Sequence, residues 1–211
     1  MMKFYKICIC LCVMLSAHTT WASDLPQALQ DGLQRLSEIK GFSCAFKQTM
    51  TYDDGSQQQF KGHLSVAKFG HFRWQYTQPY AQLYVSNGED IWFYEPDLMQ
   101  VQHLQSLDAI DPIAMRLLEG RVTADDIKLL GESQESGRSV YHLRMGLQTE
   151  LWLSLQNNGL PAWFESRDAL GNRNRMQLLS LQTGAPDMKI FEFTVPKGVD
   201  VLNADGQMME R

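Results

Sequence analysis

From Phe42 to His103, apolar and polar side chains alternate with a period of two, broken at short intervals by turn residues. Phe42, Cys44, Phe46, Gln48, Met50 and Tyr52 interleave with Ser43, Ala45, Lys47, Thr49 and Thr51. Successive side chains leave an extended strand on opposite faces, so this pattern suits a half-buried strand and not a helix. Asp53-Asp54-Gly55 then turns the chain. Phe60 to Val66, Phe72 to Tyr76, Leu83 to Val85, Trp92 to Tyr94 and Met99 to His103 repeat the pattern, with Ser86-Asn87-Gly88 and Pro96 among the breaks. Short strands joined by tight turns predict an antiparallel meander.

The same signal resumes at Ile127 to Gly131, Val140 to Met145, Leu151 to Leu155, Leu160 to Arg167 and Arg175 to Leu181. Phe191, Phe193 and Val195 alternate near the end and also read as a strand, and the residues from about Asn203 read as a frayed polar tail. The expected total is about eleven strands. Two stretches follow the helical period instead. Leu25, Ala28, Leu29, Leu33, Leu36 and Ile39 form one apolar stripe, with Pro26 in the first turn and Gly41 beyond the end. Asp111-Pro112 opens a second helix (Ile113, Ala114, Met115, Leu117, Leu118) that Gly120 ends, and Thr123 to Asp126 adds a further helical turn. The fold class is therefore mainly antiparallel β with a few helices (α+β).

The first residues set the expected compartment. Lys3 and Lys6 precede the apolar run Ile7 to Ala17, and Thr20-Trp21-Ala22 offers small residues at a cleavage point. That is the form of a secretory signal peptide, cleaved after Ala22. The run is too short for a bilayer, which takes roughly 20 apolar residues. Residues 23–211 contain no repeat, linker or low-complexity tract and read as a single domain in the periplasm. Cys8, Cys10 and Cys12 leave with the leader, so Cys44 remains alone on an apolar face as a small hydrophobe. No cysteine lies in a lipobox, so the protein itself reads as unlipidated. Net charge is −5 for 19 basic and 24 acidic residues. Losing the two leader lysines leaves 17 against 24, or −7. An acidic surface argues against nucleic acid, and against anionic membrane as a standing partner.

No catalytic constellation stands out. His63, His71, His103 and His142 lack metal-ligand spacing, and there is neither a nucleophile elbow nor a phosphate-binding glycine loop. The acids sit mostly in turns and caps. We therefore expect no enzyme, metal or cofactor. What is unusual is the size of the apolar side chains. Many are aromatic or Met, suited to a curved sheet whose interior holds a ligand of variable shape. An ordinary β-core made of the same residues remains the alternative at this stage.

The stretch Phe69 to Val101 bears on that choice. It contains Phe72-Arg73-Trp74, then Gln78-Pro79 with Val85-Ser86 and Gly88, then Trp92-Phe93-Tyr94 with Pro96, then Leu98, Gln100 and Val101. Phe42, Phe46 and Gln48 precede it, and Phe191, Phe193, Pro196, Gly198 and Val199 follow near the end. In this order the residues resemble the outer-membrane lipoprotein carrier protein LolA family across nearly the whole mature chain. The resemblance implies an open half-barrel lidded by helices around an apolar cavity. It implies a chaperone, acting as a monomer, that binds the acyl chains of lipidated proteins. Cargo would come from an inner-membrane ATP-driven releasing complex and pass to an outer-membrane receptor lipoprotein.

The wall candidates are Phe46, Phe72, Trp74, Leu83, Val85, Trp92, Tyr94, Met99 and Val101. The lid candidates are Ile113, Met115, Leu117 and Leu118. Family members often carry Arg-Pro before the Phe-x-Trp strand, with the Arg implied to lock the lid. Here that place reads Lys68-Phe69-Gly70. Lys68 is thus the latch candidate, and as a point charge without a planar fork it implies a latch that is weaker or differently built. A carrier of another amphiphile, an enzyme with an unrecognised site and a purely structural β-domain are the alternatives.

Overall fold

The structure is a computed structural model that describes residues 25–106, 112–146 and 149–209. The expected leader, its cleavage point and the Asp111 cap lie outside these residues. Helix α1 (Gln27–Glu38) opens the described chain, and α2 (Pro112–Leu118) follows the first six strands. Those strands are β1 (Gly41–Thr51), β2 (Gln57–Ala67), β3 (His71–Gln78), β4 (Gln82–Asn87), β5 (Ile91–Glu95) and β6 (Gln100–Leu104). After α2 come β7 (Ile127–Glu135), β8 (Arg138–Met145), β9 (Thr149–Leu155), β10 (Pro161–Arg167), β11 (Arg173–Thr183) and β12 (Asp200–Leu202).

All twelve strands join one open sheet in the order β12-β6-β5-β4-β3-β2-β1-β11-β10-β9-β8-β7. Every neighbouring pair is antiparallel except β12 with β6, which is parallel. The two meanders read from the alternation are both present, and β1 joins them by pairing with β11. This antiparallel, open, helix-lidded sheet is the architecture expected from the sequence.

Two expectations at the C-terminus are corrected. Phe191, Phe193 and Val195 form no strand: Met188–Phe191 is a 3-10 turn, and the next residues cross the outside of the sheet as an extended segment. Alternation there reflects side-chain packing on a finished sheet, with Phe191 and Val199 each 1% exposed. Residues from Asn203 are not frayed either. The Asn203 N–H donates to the Gln207 carbonyl at 2.9 Å, and the Met209 N–H to the Val201 carbonyl at 2.8 Å, folding the tail back on β12.

Both helices sit on the inner face of the sheet. Their buried Leu29, Leu33, Leu36, Ala114, Met115, Leu117 and Leu118 share one core with Phe42, Phe46, Leu64, Phe72, Trp74, Leu153 and Phe164. Removing such a side chain from water contributes about 1.5–3 kcal/mol. Helix α2 is short, so its stability comes from this contact rather than from its own hydrogen bonds. The Asp126 carboxylate, in the 3-10 turn after α2, accepts from Thr123 N at 2.8 Å and from Arg116 Nη2 at 3.0 Å, pinning the end of the lid region.

Candidate ligand-binding site

Strand register assigns the walls. Cross-strand partners share a face, so each row of paired residues lies on one side of the sheet. One row runs Cys44, Leu64, Trp74, Tyr84, Phe93. The next runs Phe42, Val66, Phe72, Ser86, Ile91. On the other side of β1 a third row continues through Gln48, Met176, Phe164, Leu153 and Tyr141. These rows face the helices.

Aromatic rings form a band across the rows. Phe46 meets Tyr76 edge-on at 5.2 Å and Trp74 at 6.1 Å, and Tyr84 stacks on Phe93 at 4.3 Å. Gly62 makes room for this band: a Cβ there would stand 2.8 Å from the Phe46 ring and would collide with the Gln75 carbonyl. Polar groups are few. Tyr76 Oη donates to Gln48 Oε1 at 2.9 Å, and Gln48 Nε2 donates to Asn174 Oδ1 at 2.8 Å. Trp74 Nε1 is buried with no hydrogen-bond partner. Burial, with a smaller contribution from Glu95, pushes the Tyr84 phenol up to about 12. Burial also pushes the Cys44 thiol up to about 12, which keeps it protonated and poorly nucleophilic. Among the described residues, no group of three or more His, Cys, Asp or Glu is placed to hold a metal ion.

One cation ties the helices to the sheet. Lys68, in the β2–β3 turn, donates from Nζ to the Glu119 carbonyl at 2.8 Å and to the Leu36 carbonyl at 3.2 Å. Both carbonyls lie at helix C-terminal ends, where unpaired oxygens and the helix dipole favour a positive charge. Burial pulls the Lys68 ammonium below its ordinary value, and the Glu119 carboxylate opposes that pull. Gly120 allows the close approach of the two helix ends. It has φ +66, and a Cβ there would overlap the Leu36 carbonyl.

The sequence candidates separate into two groups. Phe46, Phe72 and Trp74 lie on the inner face, 2%, 0% and 1% exposed, against Met115, Leu117 and Leu118 of α2. Ile113 falls within α2, but its side chain is outside the described residues. Leu83, Val85, Trp92, Tyr94 and Val101 are corrected: they occupy the opposite face. Leu83 pairs with Tyr94 and Tyr94 with Val101, while Val85 pairs with Trp92. This outer patch is covered by the C-terminal segment, whose Phe193 ring lies 6.0 Å from Trp92 and 5.9 Å from Tyr94. Met99 is corrected as well. It follows the 3-10 turn Pro96–Leu98 in a left-handed conformation (φ 51) and is 50% exposed. The sequence reading missed Tyr84, Ile91 and Phe93. In β4 and β5 both alternating sets are apolar, so only register with Trp74 and Phe72 reveals which set faces inward.

The fold and site define an open half-barrel protein with an aromatic, apolar inner face occupied by its own helices. The family model for the outer membrane lipoprotein carrier protein LolA matches residues 37–194, and the chain belongs to this family. It is 31% identical over 197 residues to an outer-membrane lipoprotein carrier protein of Serratia proteamaculans, covering 92% of this chain and 96% of that one. It is 30% identical over 184 residues to one of Chromobacterium violaceum, covering 81% and 84%. A crystal structure of a LolA superfamily protein from Nitrosomonas europaea superposes with a TM-score of 0.45 at 14% identity, covering 79% of this chain and 97% of that one.

Proposed function

We propose that residues 23–211 act, after removal of the leader, as a periplasmic carrier that binds the acyl chains of lipoproteins and shuttles them from inner to outer membrane. The observation that carries the reading is the apolar inner face, filled by α1 and α2 and tied shut through Lys68. An acyl chain of about 15 methylenes loses roughly 12 kcal/mol on leaving a bilayer, at about 0.8 kcal/mol per CH₂. A carrier must offset most of that with an apolar interior. It must also shield that interior when empty.

The helices meet the second need. Leu33, Leu36, Met115, Leu117 and Leu118 cover the aromatic band, and an acyl chain entering there replaces their contacts with its own. Opening breaks the two Lys68 hydrogen bonds, so Lys68 serves as the latch. Cargo is received from an ATP-driven inner-membrane complex and handed to an outer-membrane receptor lipoprotein. The curated relatives named as outer-membrane lipoprotein carriers support this assignment.

The test is a release assay. Spheroplasts bearing a tagged lipoprotein are incubated with purified residues 23–211, and the soluble fraction is probed for the tag. An ATP-dependent, one-to-one soluble complex is expected. No release, with an established carrier active alongside, would overturn the lipoprotein reading and point to another amphiphile.

A further inference from the structure

A cavity of about 510 Å³ opens where the helix ends meet the sheet, beside Lys68. Its floor includes Ser86 and Ile91, which continue the inner-face row from Phe72. Lys68, Glu119 and Arg121 line it as well, with the Glu119 side chain set back in the wall. An apolar track therefore ends in a charged vestibule. Glu119 is the unusual member. Its side chain is 3% exposed, one carboxylate oxygen pairs with Arg121 Nε, and the other, Oε1, is buried with no hydrogen-bond partner. A buried acceptor left unpaired carries a desolvation cost that an incoming N–H donor would remove.

The chemistry that fits is an N–H or ammonium donor flanked by carbonyl acceptors, with an alkyl chain behind it. That is the junction where acyl chains join the amino terminus of a polypeptide. We infer that this vestibule seats the polar head of the cargo: Glu119 accepts from the head's N–H, while Lys68 and Arg121 donate to its acyl carbonyls. The inference rests on the carrier reading and assigns one place within it. It also couples loading to opening. The head's carbonyls compete for the same Lys68 ammonium that bonds the Leu36 and Glu119 carbonyls, so an arriving head loosens the lid.

A matched pair of probes tests this. One is a short S-(dipalmitoylglyceryl)-cysteinyl peptide. The other has 3-mercaptopropionyl in place of the cysteine, so it keeps both acyl chains and lacks only the amino group. The unmodified protein should bind the amino-bearing probe about tenfold more tightly or better, the effect of one charge-assisted hydrogen bond. Glu119→Met should abolish the preference while leaving affinity for the deamino probe intact, which also shows that the variant folds. Glu119→Gln, which keeps an acceptor oxygen, should retain part of the preference and carries the test if the Met variant binds nothing. Equal binding of the two probes by the unmodified protein, or an equal loss for both in Glu119→Gln, would overturn the assignment. Failure of both probes to bind the unmodified protein is a different pattern, and would remove the carrier reading itself.

Discussion

Lys68 Nζ lies 3.2 Å from the main-chain oxygen of Leu36, joining the β2–β3 turn to the C-terminal end of α1 across 32 residues of sequence. The same ammonium reaches Glu119 at the end of α2, so one side chain holds both helices against the sheet. Both bonds come from a single ammonium, a point charge and not a planar fork.

Lys68→Ala should therefore loosen the lid without unfolding the sheet. Two hydrogen bonds from a charged group are lost, but Lys68 is partly solvated, so a shift of about 1–3 kcal/mol toward the open form is expected. Hydrogen exchange at the α2 amides should accelerate, while β1 and β11 stay protected. Lys68→Arg should restore most of the protection. Unchanged exchange together with unchanged cargo loading and release in Lys68→Ala would end the latch assignment.

The two faces of the sheet should respond differently to equivalent truncations. Trp74→Ala opens a void on the inner face and should weaken acyl-chain binding as well as costing about 3–5 kcal/mol of stability. Trp92 stacks on His103 at 4.4 Å under the C-terminal segment. Trp92→Ala should lower the melting temperature and leave ligand affinity unchanged. A loss of affinity in the Trp92 variant that matches the Trp74 variant would contradict the face assignment.

Cys44 gives a pH prediction with a definite sign. Burial pushes its thiol from an ordinary value of 9.0 up to about 12 in the folded chain. Between those values the folded state binds more protons than the unfolded state. Stability should therefore fall as pH rises above about 9, with a slope approaching 1.4 kcal/mol per pH unit for this group. Tyr84, raised in the same direction, adds to the loss. Denaturant titrations of the unmodified protein and Cys44→Ala across alkaline pH measure the difference. A thiol reagent near neutral pH should label Cys44 only when denaturant or cargo opens the helices. Rapid labelling of the closed protein would contradict the burial.

Gly120→Ala should separate the helix ends. The position has φ +66, and the added methyl would overlap the Leu36 carbonyl. A destabilisation above about 1 kcal/mol is expected, concentrated in α2. Exchange protection lost at α2 before the sheet would bear this out, whereas uniform loss would show that α2 does not move separately.

Much of this architecture was legible in the sequence because alternation and turn residues are local. Phe42 to Tyr52 could hardly be anything but a strand, and Leu29, Leu33 and Leu36 could hardly avoid sharing a helix face. Phe191 and Phe193 show the limit of that logic. Their spacing was that of a strand, but their neighbours are side chains on the outside of the sheet rather than another backbone edge.

By itself, then, the sequence determined strands β1 to β11, the two helices, the antiparallel connections between consecutive strands and the position of a cation before the Phe72–Trp74 strand, but not the short parallel β12. Only the tertiary structure decided which side of the sheet was the inside. In β4 and β5, Leu83, Val85, Trp92 and Tyr94 are as apolar as Tyr84, Ile91 and Phe93, so period two separates the sets without orienting them. Register orients them, by placing Tyr84 opposite Trp74 and Ser86 opposite Phe72. The outer set stays apolar because a segment about 100 residues later in the chain folds over it, with Phe193 against Trp92. That contact is long-range and leaves no local mark in the pattern of either segment.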